Sequence, residues 1–556
     1  MAHTVMKPHE IVDYAVSGRL DIPEFQRGFK WNPGQIRDLV DSLWRDYPVG
    51  TMLFWSDDKY DQPRTFKSAV RNRRWIVDGQ QRCTAFCLIL GKKPSWFETQ
   101  EPREWNELFD KCDVLVDLAS DPSDLKFALP NPARRASPEW VSVREILTKE
   151  EPDKEIPMAY ARQLLEQMGK DRRDDAAADD IHARVASVRR ILHREIVTVT
   201  VGHDLEDVAE IFTRLNRAGT RVKEADTVLA LIAARQEGWV RGQFLPFVED
   251  LEEKGFSVDP TLIIRAFVSI WRRRARLRDI PRDAWRPSPE FDRGWRETKT
   301  SVANVVQFLH EQGVLSSELL PSRNALIPLF ALDHAFCEGD NTKLSRAFYW
   351  FLLASRDGRY SGSSVTILDQ DLAAIRDSTD FNAALGELLE RLRVQPRVDA
   401  EELLLPYNRE RFLRLALYLT IFHRDARDWI YSNRIGYDRS SNELNQGFKP
   451  EWHHFIPRAR LRKVQPSLED ERINSLANIV VLNERANRAF RSKLPAEYLE
   501  KYGVPAQRLK EQLVPADSKL WTLDEYQRFL DVRAKKLARA MNSFLDSLER
   551  ERHPST

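Results

Sequence analysis

The period of the apolar residues changes twice along this chain, and that change limits the folds open to it. Up to about residue 201, short apolar runs of strand type (VGTMLFWS, RRWIVD, CDVLVDLA, REIVTVTVG) alternate with helical stretches. VMKPHEIVDYAVSG reads as a helix ending at Gly18. PGQIRDLVDSLWRDYP carries Ile36, Leu39, Val40 and Leu43 at i, i+3, i+4 and i+7, with Pro33 near its start, which predicts an amphipathic helix. RRWIVDGQQRCTAFCLILG reads as a strand, a turn at Asp78-Gly79 and a helix from Gln80. From about 204 to 430 helical periodicity dominates, starting with DLEDVAEIFTRLNRAG and broken by RDIPRDAWRPSPEFDRGW and SRDGRYSGSSVT. Beyond that lie a turn-rich connection, two short apolar strands and a long C-terminal helix. One layer cannot serve both periods, so the expectation is an α+β chain of several domains.

The segment 119–185 is polar and interrupted, and KDRRDDAAADD within it reads as an exposed linker or a loosely held helix. A chain of 556 residues is too long for one core. Its 86 basic and 85 acidic residues nearly cancel, so any attraction to nucleic acid must be local. The four cysteines are not spaced as a disulfide or zinc framework; Cys83 and Cys87 sit i, i+4 on an expected helix as buried thiols. The N-terminus has no basic-then-apolar signal pattern, and no apolar run reaches the length of a membrane span. The expectation is a cytoplasmic protein with no membrane partner.

Chemistry concentrates in EWHHFIPRARLRKVQPSLEDERINSLANIVVLNERANRAFRSKLP, residues 451–495. The pattern predicts a short strand, a basic loop, a second apolar strand and a helix from about Asn483, with His453, His454, Asn478 and Asn487 at the corners. Phosphodiester hydrolysis needs a base for water, a hard cation at the phosphate and something to aim the base. A neutral histidine serves as base near pH 7, and histidine nitrogen or asparagine oxygen can hold a cation. Adjacent strand residues face opposite ways, so only one of the two histidines points directly into a given site unless the strand ends there. The segment holds nine Lys/Arg against five Asp/Glu, and Arg458, Arg460, Arg462 and Lys463 are candidate phosphate contacts. A solvated basic loop would look the same.

A second constellation pairs IPEFQRGFKWN with WIVDGQQR. Each contains a Gln-Arg pair, Gln26-Arg27 and Gln81-Arg82, and Asp78-Gly79 turns the chain just before a helix. Backbone N–H groups at such a start, beside arginines, can hold an anion. The bland alternative is an Arg–Asp network that fixes a turn. No Walker motif is present, which excludes a P-loop enzyme.

Residues 451–495 resemble the HNH nuclease ββα-metal module of the DUF1524 type. The resemblance implies His454 as general base, Asn478 as the residue orienting hairpin and base, and His453 and Asn487 as metal ligands. Asn487 stands where the family's name has its last histidine, which points to Mg²⁺ or Mn²⁺ over a tight zinc site. IPEFQRGFKWNPGQIRDLVDSLWRDYPVGTMLFW, WIVDGQQRCTAF and VAEIFTRLNRAGTRVKEAD, with Arg214, Asn216 and Gly219, resemble the DUF262 domain, whose core is similar to ParB and sulfiredoxin. Together they resemble GmrSD-like and SspE-like anti-phage restriction endonucleases.

The resemblance implies a ParB/sulfiredoxin-like α/β domain over 1–230 that binds nucleoside triphosphate through Gln26, Arg27, Asp78, Gly79, Gln81 and Arg82. It further implies a helical linker over 231–430 and an HNH nuclease over 431–556. The function so implied is a nucleotide-regulated, metal-dependent DNA endonuclease of prokaryotic anti-phage defence, with phage DNA, plain or modified, as partner and NTPase activity in the first domain. A homodimer through the C-terminal helix is an open alternative to that helix packing on its own chain. Two rival readings are a ParB-like, nucleotide-dependent DNA-binding regulator with an inactive HNH remnant, and an NTPase whose HNH module only docks DNA.

Overall fold

A computed structural model describes residues 2–23, 29–56, 73–97, 102–204, 207–208, 211, 224–236, 238–361, 364–439 and 442–550. Gln26 and Arg27, and the Arg214–Gly219 motif, lie outside the described residues. The chain divides into two compact units, Met1–Gln243 and Phe244–Thr556.

The first unit is built on a five-stranded mixed sheet. Its strands are β1 (Ala2–Met6), β2 (Leu20–Asp21), β3 (Met52–Trp55), β4 (Arg74–Asp78) and β8 (Ile196–Val201), in the order β1-β8-β3-β4-β2. β3 runs parallel to β8 and antiparallel to β4. Residues 2–6 are thus a sheet edge, and helix α1 (Pro8–Val16) begins only after them. Pro8 explains that boundary: its fixed φ and missing N–H suit the first helical turn and no later one. Helix α2 (Pro33–Trp44) starts at a capping box in which Asn32 and Gln35 bond each other's backbone N–H at 3.1 and 3.0 Å, and it buries Ile36, Leu39, Val40 and Leu43. Helix α3 (Gln80–Ile89) follows β4 after one residue and is buried almost all round, Cys83 and Cys87 included.

A second, antiparallel sheet of β5 (Leu115–Asp117), β6 (Lys126–Ala128) and β7 (Trp140–Ser142) lies in the order β6-β5-β7. The stretch read as a linker or loose helix becomes a firm helix, Asp175–Arg189, capped by Asp174 and burying Ala178, Ile181, Val185 and Val188. The polar DDAAADD start hid this apolar stripe, which emerges only further along the helix.

The second unit is mostly helical. The helix Pro289–Glu311 passes so close to Pro260–Trp271 that a Cβ on Gly294 would lie 2.8 Å from the Trp271 side chain. Phe267, Trp271, Trp285, Phe291 and Trp295 stack around that crossing. The C-terminal helix Tyr526–Arg550 buries Phe529, Leu530, Arg533, Leu537, Met541, Leu545 and Leu548 and packs on the helices Asn341–Arg356 and Arg411–Phe422 of its own chain. Between these lies the strand–strand–helix module: β9 (Glu451–His454) and β10 (Ile479–Leu482), antiparallel, then the helix Glu484–Phe490. The stretch expected as a basic loop is instead a short helix, Arg458–Val464, entered from Pro457 and anchored by buried Leu461.

Candidate active site on a two-stranded ribbon

In the ribbon His453 pairs with Val480 and His454 with Ile479, so the two imidazoles leave opposite faces. His453 faces the following helix and is almost fully buried, edge-on to Phe490 and Tyr498. Its Nδ1 lies 2.7 Å from Asn487 Oδ1, and Asn487 Nδ2 donates to Glu451 Oε2 at 2.9 Å. The carboxylate behind the amide sets its orientation: Oδ1 must face the ring, so Nδ1–H donates. Burial among aromatic rings pushes the His453 pKa down to about 4, against a smaller opposing effect of the Asn487 bond. The ring is neutral at pH 7.

On the other face, His454 Nε2 lies 3.1 Å from Asn474 Oδ1. Asn474 Nδ2 donates to the carbonyl of Asp470 at 2.8 Å, which again fixes the amide with its oxygen toward the ring. Nε2–H therefore donates and Nδ1 carries the lone pair. Desolvation holds the His454 pKa below its usual value, opposed by the Asn474 bond. The Tyr407 ring stands edge-on to the imidazole at 5.7 Å between centroids.

Asn478, expected to orient the hairpin and the base, holds the backbone beyond the histidines. Its Oδ1 accepts from the Ile456 N–H and its Nδ2 donates to the Ile456 carbonyl, both at 2.9 Å, from a fully buried position. It pins the chain just after the histidines and does not bond the His454 ring. Two residues at this site escaped the sequence reading, Asn474 and Glu451. Glu451 had a signal, since it lies two residues before His453 on the same strand face. Asn474 lies four residues before Asn478, with no local pattern to mark it.

Among the described residues no group of three or more His, Cys, Asp or Glu side chains is placed to hold a metal. The converging atoms are one imidazole nitrogen and one amide oxygen, with a carboxylate behind; to act as a donor to a cation, His453 Nδ1 would pass its hydrogen to Nε2, which has no hydrogen-bond partner among the described residues. That set does not fit a closed zinc cage. It fits a hard divalent cation that keeps waters and takes oxygen ligands from its substrate. Arg462 is engaged by Asp470 at 2.7 and 2.9 Å, and Arg460 donates to the Ser492 carbonyl at 3.2 Å.

In the first unit Asp78 closes β4 and Gly79, at φ +97°, precedes α3. A Cβ there would lie 2.9 Å from Met52 Cγ, so only glycine fits the turn. Arg82 donates to the carbonyls of Val49 and Thr51 at 2.7 and 2.9 Å and to Asp78 at 3.1 Å. Burial lowers its pKa despite Asp78. Gln81 Oε1 accepts from the backbone N–H of Lys30 and Trp31 at 2.7 and 3.2 Å. The structure thus joins Asp78, Gly79, Gln81 and Arg82 in one turn, with Arg82 and Gln81 fastening the 49–51 and 30–31 segments to it.

Residues 9–233 match the family model of the GmrSD restriction endonuclease N-terminal domain. The uncharacterized protein MJ0686 of Methanocaldococcus jannaschii is 20% identical over 531 residues, covering 90% of this chain and 87% of that protein. The first match lies within the first compact unit, whereas the second similarity runs through most of the chain.

Proposed function

Taking the GmrSD-type N-terminal domain as premise, we propose that the chain is a metal-dependent DNA endonuclease of a restriction system, its active site on the β9–β10 ribbon. The observation that carries this reading is the pair of oriented imidazoles. His453 meets Asn487 on one face, and His454, the last residue of β9, is aimed by Asn474 on the other, so the end of the strand is where one phosphate can meet both.

In this reading His454 Nδ1 accepts the proton of the attacking water while Nε2–H stays on Asn474. The imidazole is neutral at rest, as a base must be. His453, in its Nε2–H tautomer, and Asn487 would hold a Mg²⁺ or Mn²⁺ ion, which would supply positive charge against the phosphate and the leaving oxygen. Glu451 keeps the Asn487 amide turned the right way. Asn478 holds the Ile456 backbone, and with it the end of the strand that carries both histidines.

The regulatory arm is nucleoside triphosphate binding by the first unit, which the DUF262 resemblance implies; the match over residues 9–233 supports the restriction-endonuclease N-terminal domain that would carry it. Asp78 is the more exposed partner of that turn's ion pair, while Arg82 fixes its shape. Binding regulates cutting only if the nucleotide has different affinities for the idle and competent states.

The test is conversion of supercoiled plasmid, plain and modified, with Mg²⁺ or Mn²⁺ and with or without each nucleoside triphosphate. Open-circle or linear product is expected, falling about 100-fold or more with His454→Ala and disappearing in EDTA. Folded protein that leaves every plasmid intact would overturn the reading in favour of a DNA-binding regulator.

A further inference from the structure

Ion pairing is a habit of this chain. Arg45, Arg184, Lys254, Arg508 and Arg528 each meet an acid three or four residues away. One cleft of about 410 Å³ in the second unit departs from the habit. Arg424, Lys510, Lys536 and Arg539 line it over a floor of Leu513 and Val514, and no acidic residue lines it. Among the described residues none of the four cations has a carboxylate partner. Lys536 and Arg539 are i, i+3 neighbours on the C-terminal helix, with Lys535 beside them, an arrangement that costs helix stability unless an anion answers it. The acid closest in sequence is turned away: the Glu511 carboxylate is held by Arg508 and by the Arg427 N–H, and only its backbone carbonyl meets Arg424.

The cleft is mechanically tied to the ribbon. Gln512, directly before its floor, bonds both the N–H and the carbonyl of Val481 on β10. Arg533, on the same helix as Lys536 and Arg539, donates to the carbonyls of Ala477 and Gln512 at 2.8 and 3.1 Å.

We infer that this cleft binds the sugar–phosphate backbone of duplex DNA, at a phosphate other than the one that is cut. The inference rests on the nuclease reading for its choice of anion. Four cations without a carboxylate partner, in an open groove with an aliphatic floor, match a continuous polyanion, which releases counterions at each contact. They make phosphate contacts without base readout, so the contribution is independent of sequence.

The experiment is fluorescence-anisotropy titration of a 30-base-pair duplex in EDTA across a salt series. It compares the full chain, the Lys510→Gln/Lys536→Gln/Arg539→Gln variant and a control triple, Arg278→Gln/Arg286→Gln/Arg293→Gln. All six positions are exposed, and melting curves verify folding. The expected result is roughly 10- to 100-fold weaker binding for the cleft variant, with the slope of log K against log salt reduced by about 2–3, and a control within about twofold of the parent. Unchanged affinity and slope in the cleft variant, or equal loss in the control, would overturn the inference. Because EDTA removes catalysis, the two readings fail separately. A parent that binds but never cuts refutes the nuclease and leaves the cleft. A parent that cuts, with a cleft variant that binds normally, refutes the cleft alone.

Discussion

Two asparagine amides decide the tautomers of two histidines. Each amide is oriented by its other end, Asn487 by the Glu451 carboxylate and Asn474 by the Asp470 carbonyl. The consequence for His454 is testable without abolishing the site. Asn474→Asp puts a carboxylate against Nε2–H, which favours the imidazolium and raises the His454 pKa. If His454 is the base proposed above, it must be neutral, so the acid limb of the pH–rate profile is expected to move to higher pH while KM for DNA changes little. Asn474→Ala instead lowers kcat about tenfold through loss of aim. A profile that stays in place with Asn474→Asp would remove Asn474 from the positioning role. Arg82 teaches a related lesson in the first unit. An arginine beside a helix start has the look of a phosphate clamp, yet its guanidinium donates to two carbonyls and Asp78.

At the scale of elements, β10 has two edges and, among the described residues, one partner strand. Its outer edge is closed by a side chain: the Gln512 amide bonds Val481 as a neighbouring strand would. Gln512→Ala would leave a buried N–H and a buried carbonyl without partners. A loss of about 2–4 kcal/mol from the second unit is expected, read by urea unfolding. Gln512→Glu offers an acceptor but no donor and recovers only part of it. The β4–α3 turn gives the parallel case in the first unit. Gly79→Ala meets both a positive φ and the Met52 side chain, and a destabilisation of about 1–3 kcal/mol in that unit is expected from the same assay. Unchanged unfolding midpoints in either variant would contradict these assignments.

Across the whole molecule, mild acid is expected to act on the second unit through its buried histidines. His310, His453 and His454 all have pKa values lowered by burial, and all three lie beyond residue 244. The unfolded chain protonates such histidines first, near pH 6.5, so it binds more protons than the fold between there and the lowered values. Stability is therefore full above about pH 6.5 and falls as the pH drops, by up to about 1.4 kcal/mol per pH unit for each fully buried histidine, until about pH 4 for His453. Thermal melting in EDTA from pH 7.5 to 5 should show the second unit losing stability ahead of the first. Equal shifts in both would show that the histidines do not carry the effect. No helix among the described residues is long and apolar enough to cross a membrane, and the apolar stripe of the C-terminal helix is covered by its own chain.

What the sequence determined by itself was local. The i, i+3, i+4 spacing of Ile36, Leu39, Val40 and Leu43 with Asn32-Pro33 ahead of it specifies α2, because cap and apolar stripe are both read within a few turns. The same holds for the Asp78-Gly79 turn, for the two strands around the histidine pair, and for the C-terminal helix. Short-range signals also misled where a non-local contact won. Val5 and Met6, read as the start of a helix, joined a strand because β8 offers residues 2–6 an edge, and 175–189 became a firm helix because other elements cover its stripe. Tertiary structure alone decided the chemistry around His454. Asn474 and Asn478 are both asparagines near the second strand, and spacing does not say which reaches the ring. The choice is made by residues 403–407, far upstream, whose backbone bonds Asn474, Ser475 and Leu476 and sets the Asn474 amide against Nε2. Contacts between distant segments follow from packing, and no periodicity in one segment encodes the position of another.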